Sequence, residues 1–91
     1  DEHDRQKRVA KRLDDRTFIF SGRMEIDDIN EKFGLTLPED EDFMTIAGYI
    51  LCHHPSIPSQ GQILEIGDLR FEILRSTSTK IVLVKMTLPE A

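Results

Sequence analysis

Apolar positions along this 91-residue chain change their spacing twice, from a period of two to a helical period and back again. Val9, Lys11 and Leu13 begin a period of two, Asp14-Asp15-Arg16 has turn composition, and Thr17 to Ser21 is a β-branched and aromatic run. Val9 to Ser21 is therefore expected to be a β-hairpin, ended by Gly22. Within the amphipathic run Met24 to Phe33, Ile26, Ile29 and Phe33 fall at i, i+3 and i+7 with acids and Lys32 on the other faces, which predicts a short helix with one buried stripe. Gly34 is placed for a left-handed C-cap, Pro38 prevents resumption of the helix, and Leu35 and Leu37 are expected to fold back onto the same core.

Phe43, Ile46, Ala47, Ile50 and Leu51 repeat at i, i+3, i+4, i+7 and i+8, a wider apolar face, so the second helix is expected to be the more deeply buried. Asp40 or Asp42 is the expected cap, and Pro55 the stop. Gly48 inside this helix costs about 1 kcal/mol in propensity against alanine, which points to a close approach by another group. Ile63, Leu64 and Ile66 form a strand, Gly67-Asp68 a two-residue turn, and Leu69, Phe71 and Ile73 alternate with Arg70 and Glu72. Ile81-Val82-Leu83-Val84 is apolar at consecutive positions, which predicts an interior strand covered on both faces. The expected class is α+β: a β-hairpin, two short helices, then a three-stranded antiparallel meander, forming one mixed or antiparallel sheet with the helices packed on it.

Composition narrows the possible functions. The net charge of −5 argues against a nucleic-acid-binding surface, because neutralising phosphates takes a basic face and the one basic run is Arg5 to Arg12. That run has too few large apolar residues to enter a bilayer, and no apolar stretch approaches the ~20 residues of a membrane span. Membrane insertion by these residues is not expected. A single cysteine, Cys52, leaves no internal disulfide and fits a reducing compartment. The chain starts on Asp1-Glu2-His3-Asp4 without methionine, so it reads as a piece of something longer.

Candidate chemistry is sparse. Cys52, His53 and His54 are the densest group of soft ligands, but adjacent helical residues point about 100° apart, so His53 and His54 are metal candidates only if the helix unwinds at Pro55. The alternative is a helix end whose histidines complement the dipole, with the cysteine turned inward. Asp40 and Asp42, within Glu39-Asp40-Glu41-Asp42, offer a weak divalent-cation site or a solvated helical approach, and the spacing is not that of an EF-hand. Arg23, beside the Ser21-Gly22 turn, is either an anion contact or an ordinary turn arginine. No serine, cysteine or lysine has a recognisable nucleophile setting, so an enzyme is not expected.

Taken in order, five segments resemble the CorC/HlyC transporter-associated domain. They are the Ser21-Gly22-Arg23 turn, the helix Ile26 to Phe33 with its Leu35-Thr36-Leu37-Pro38 exit, Phe43-Met44-Thr45-Ile46-Ala47-Gly48, the Ile57-Pro58-Ser59-Gln60-Gly61 loop, and the strand Arg70-Phe71-Glu72-Ile73-Leu74. Pro55 departs from the family, which usually has glycine there. The resemblance implies a linker over residues 1–8 following CBS domains, the transporter-associated domain over 9–88 and a tail over 89–91. It also implies a parent chain with a membrane domain and paired CBS domains as partners, placing this module on the cytoplasmic face of the bacterial inner membrane. The implied role is a non-catalytic regulatory or interaction domain, linked to magnesium and cobalt efflux in hemolysin-related transporters, with a homodimer as its expected assembly. The family fold is similar to the C-terminal part of PCMH-type flavin-binding domains. By that analogy FAD, or an adenine nucleotide, is the alternative ligand, and its pocket is expected beside Arg23 or the Pro58–Gly61 loop.

Overall fold

Residues 9–89, which the computed structural model describes, follow the strand, strand, helix, helix, strand, strand, strand order that the periodicity predicts. The linker over residues 1–8 and the last two residues of the tail lie outside the described residues. The elements are β1 (Ala10–Arg12), β2 (Thr17–Ser21), α1 (Ile26–Phe33), α2 (Ile46–His53), β3 (Ile63–Ile66), β4 (Leu69–Ser76) and β5 (Ile81–Thr87). All strand pairs are antiparallel, in the order β1-β2-β5-β4-β3, so the last strand lies in the middle of the sheet.

Two rows of side chains across the central strands build the core. Phe18, Met86 and Phe71 are in register across β2, β5 and β4, as are Phe20, Val84 and Ile73, and none is more than 1% exposed. Ile26 and Ile29 of α1, with Ile46 and Ile50 of α2, belong to the same cluster, so both helices cover one face of the sheet. Phe33 closes the edge of this layer, its ring 5.1 Å from Phe18 and inclined to it by 66°. Burial in α2 raises the pKa of the Tyr49 phenol.

Local chemistry explains the turns. The Asp14 carboxylate accepts the Arg16 backbone N–H at 2.9 Å, and this bond above all holds its pKa below the usual carboxylate value. Gly34 caps α1 at φ 66°, a conformation open to glycine without strain. Asn30 then fixes the chain beyond the cap: its Nδ2 donates to the Leu37 carbonyl at 3.0 Å, and its Oδ1 accepts from the Leu37 N–H at 2.9 Å. Asn30→Ala is expected to cost about 1–2 kcal/mol, because both polar groups of a nearly buried backbone unit lose their partner. Urea unfolding would register this as a lower midpoint at unchanged slope.

Three features refine or correct the expectations. First, the period of two begun by Val9, Lys11 and Leu13 falls on the face away from the helices. Ala10 opposes Phe20 and Arg12 opposes Phe18, so these two share the core face, with the Arg12 guanidinium 5.8 Å from the Phe18 ring centre. Leu13 is 51% exposed.

Second, Thr45 caps α2 in place of Asp40 or Asp42, its hydroxyl accepting from the Gly48 N–H at 3.0 Å. The Asp40 carboxylate turns back to the Asp42 N–H instead. Phe43 lies ahead of the helix, in a bridge with Asp40.

Third, β5 is not covered on both faces. The β4–β5 register shifts between Ile73 and Arg75 and again between Arg75 and Ser76. These shifts reverse the inward phase, so Ile81 and Val84 are buried while Val82 and Leu83 between them are half-buried and stand outside the core cluster. Consecutive apolar residues here record a bulge.

Candidate functional site

The same bulge shapes one end of the sheet. Strict alternation after the buried Phe71 and Ile73 would drive Arg75 into the core, and the register shift leaves it exposed instead. Gly22 extends β2 alongside β5 by donating to the Val82 carbonyl at 2.9 Å, which brings Arg23 to this end. Lys80 arrives from the β4–β5 turn, where the Thr77 N–H donates to its carbonyl at 2.8 Å. Arg23, Arg75 and Lys80 line a cavity of about 540 Å³ with Val82 and Leu83 beneath, and among the described residues no carboxylate contributes to its wall. Among the described residues no acid pairs with any of the three cations. In a chain with 17 acids against 12 Lys and Arg, this separation of charge is local to the cavity.

Acids collect elsewhere, around the two helix starts. Asp27, Glu39, Asp40 and Glu41 line a groove of about 440 Å³ with Phe43 and Met44. Oxygens of Glu25, Asp27 and Asp28 lie within 4.8 Å of one another, the only cluster of three metal-ligand types among the described residues. Several of these carboxylates order the chain: Asp27 accepts from the Asp28 N–H at 2.7 Å, and Glu39 from Asn30 Nδ2 at 2.9 Å. Of the sequence candidates, Asp40 faces the groove and Asp42 follows in its turn, and neither belongs to the three-carboxylate cluster. His53 sets its ring against Tyr49 at 5.0 Å, and His54 Nδ1 lies 2.8 Å from the Ser56 carbonyl oxygen, to which it donates as the Nδ1–H tautomer. Cys52 is exposed, correcting the inward orientation expected of it, and these three do not converge.

Most backbone amides at the helix starts are already engaged. The first three amides of α2 donate to the Met24 carbonyl, the Gly22 carbonyl and the Thr45 hydroxyl at 3.0, 2.9 and 3.0 Å. The α1 start donates its Ile26 N–H to the Met44 carbonyl at 2.8 Å. At the Ser21-Gly22 turn, the Ser21 hydroxyl accepts from the Val9 N–H at 2.7 Å. The charged group offered to an anion there is the exposed Arg23 side chain. Pro58 and Gly61 are not part of the Arg23 cavity; the Pro58 carbonyl accepts from the Ser76 hydroxyl, and the Gly61 N–H donates to the Ile73 carbonyl at 2.6 Å.

Sequence reasoning found Arg23 but missed Arg75, Lys80, Glu25, Asp27 and Asp28. A cation at an inward position of an alternating strand was the available signal for Arg75. The acids of α1 looked like ordinary complements to a helix dipole.

Comparison with known proteins covers almost the whole chain. Residues 11–90 match the family model CorC_HlyC, described as a transporter associated domain. The magnesium and cobalt efflux protein CorC of Buchnera aphidicola subsp. Baizongia pistaciae is 29% identical over 90 residues, which is 99% of this chain and 32% of that protein. Hemolysin C of Rickettsia prowazekii is 33% identical over 92 residues, covering 97% of this chain and 30% of the relative. The chain thus spans about a third of the length of these curated relatives. A crystal structure of a functionally unknown conserved protein from Haemophilus influenzae Rd KW20 aligns with a TM-score of 0.75 and 32% identity, over 88% of this chain and 98% of that one.

Proposed function

The chain belongs to the CorC_HlyC family of transporter-associated domains, and from that membership we propose that it is a non-catalytic regulatory or interaction module of a membrane transporter for divalent cations. The observation that carries this reading is the family match over residues 11–90, shared with magnesium and cobalt efflux proteins about three times as long. The remaining two-thirds of such a parent would hold the membrane domain and the CBS domains, with this module on the cytoplasmic face. Neither helix described here is long and apolar enough to cross a membrane.

A role through contact also suits the chemistry of the fold. The polar groups of the helix starts and of the Ile57–Gly61 loop are largely spent on internal hydrogen bonds that fix shape. Titrating the isotope-labelled chain with the rest of the parent's cytoplasmic segment is expected to give saturable, localised NMR shifts. An unchanged spectrum at millimolar concentration would contradict an interaction module. Self-association belongs to the same reading, since β1 and β3 leave two strand edges unpaired among the described residues. Sedimentation velocity at micromolar concentration is expected to show a dimer, and a monomer throughout would remove that part.

A further inference from the structure

Beyond a role in protein contact, we propose that the cavity at the β2–β5–β4 end binds a phosphate-bearing ligand, its phosphate held by Arg23, Arg75 and Lys80 and its apolar part resting on Val82 and Leu83. Three observations converge on this. The cavity is of a size that accepts small organic ligands, about 540 Å³. Among the described residues its charged wall is entirely cationic, within an acidic chain, and none of the three cations is neutralised by an acid. Paired bulges, a feature that re-aims side chains, take Arg75 out of the core and turn two aliphatic residues of the central strand outward beneath it.

Ligand chemistry follows from the donors. One guanidinium fork saturates the two oxygens of a carboxylate, whereas a terminal phosphate, a pyrophosphate or adjacent lipid phosphates bring three or more oxygens and about two charges together, which matches three separate cations. The Gly22 amide is engaged by the Val82 carbonyl and the Lys80 amide by the Thr77 hydroxyl, so charged side chains supply most of the recognition. Two sources share this chemistry: a soluble nucleotide or flavin, and the headgroup of an anionic phospholipid. Both present a phosphate on a body with apolar surface.

Calorimetric titration of the 91-residue chain at low salt, with ATP, with FAD, and with phosphatidylglycerol vesicles against phosphatidylcholine vesicles, tests the proposal. Saturable binding of at least one phosphate-bearing probe is expected, weakened about fivefold by each of Arg23→Gln, Arg75→Gln and Lys80→Gln and unaffected by Lys32→Gln on α1. The three substituted side chains are exposed, so the variants should retain the fold, which thermal unfolding verifies. Binding of ATP or FAD would assign the soluble source, and binding of phosphatidylglycerol vesicles alone the lipid headgroup. If no probe binds at millimolar concentration, or if the triple Gln variant binds as well as the parent chain, the proposal is overturned.

Discussion

Replacing Gly22 with alanine is expected to destabilise the fold by about 3 kcal/mol or more, the larger end of what overpacking costs. An added Cβ would be driven into the Ile81 carbonyl oxygen and would sit 3.2 Å from the Ala47 Cβ. Both polar groups of Gly22 are fixed, its N–H on the Val82 carbonyl and its own carbonyl on the Ala47 N–H, each at 2.9 Å, so the backbone has no free direction of retreat. Gly48 provides the contrast. A Cβ there would come 3.3 Å from the Thr45 hydroxyl and 3.5 Å from the Phe43 Cβ, close but adjustable contacts within its own helix start. Gly48→Ala is expected to stay within about 1 kcal/mol of the parent, since helix propensity offsets the crowding. Equal losses at the two positions in urea unfolding would contradict the assignment of close packing to Gly22.

Phe71→Ala is expected to cost about 3–5 kcal/mol, enough to remove most of the stability of a domain this small. Phe71 is fully buried between Leu64 of β3 and Met86 of β5, with the Tyr49 ring of α2 6.0 Å away. Its truncation opens a cavity where the sheet meets the second helix. One residue along in β3, Ile63 pairs with Glu72 on the outer face and is 56% exposed. Ile63→Ala should therefore change stability by less than about 0.5 kcal/mol. Thermal or urea denaturation of the two variants separates the faces of the sheet. Similar losses would mean that the outer face is covered by a second copy of the chain.

The element order and the helix stripes were readable because they rest on local periodicity: Ile26, Ile29, Ile46 and Ile50 are core residues as their spacing predicts. Gly34 and the Gly67-Asp68 turn were readable for a similar reason, since backbone conformation there is decided within a few residues. What escaped depends on long-range partners. Register decides which face Val9, Lys11 and Leu13 take, and only the pairing of Ala10 with Phe20 fixes it. A compensated bulge leaves no signature in composition, so Ile81 to Val84 looked like a doubly covered strand. Gly48 drew notice as a glycine in a helix, while the glycine that packing requires is Gly22, whose neighbour Ile81 is far away in sequence. Arg23 was identifiable beside its turn, but Arg75 and Lys80 join it only once β4 and β5 are placed.

Divalent-cation flux through the proposed parent transporter, reconstituted in vesicles with and without this domain, tests the proposed role most directly. Flux should persist in the deleted protein, with an altered rate or altered dependence on cation concentration, as expected of a regulatory module outside the transport path. Identical flux with and without the domain, at every cation concentration, would contradict it.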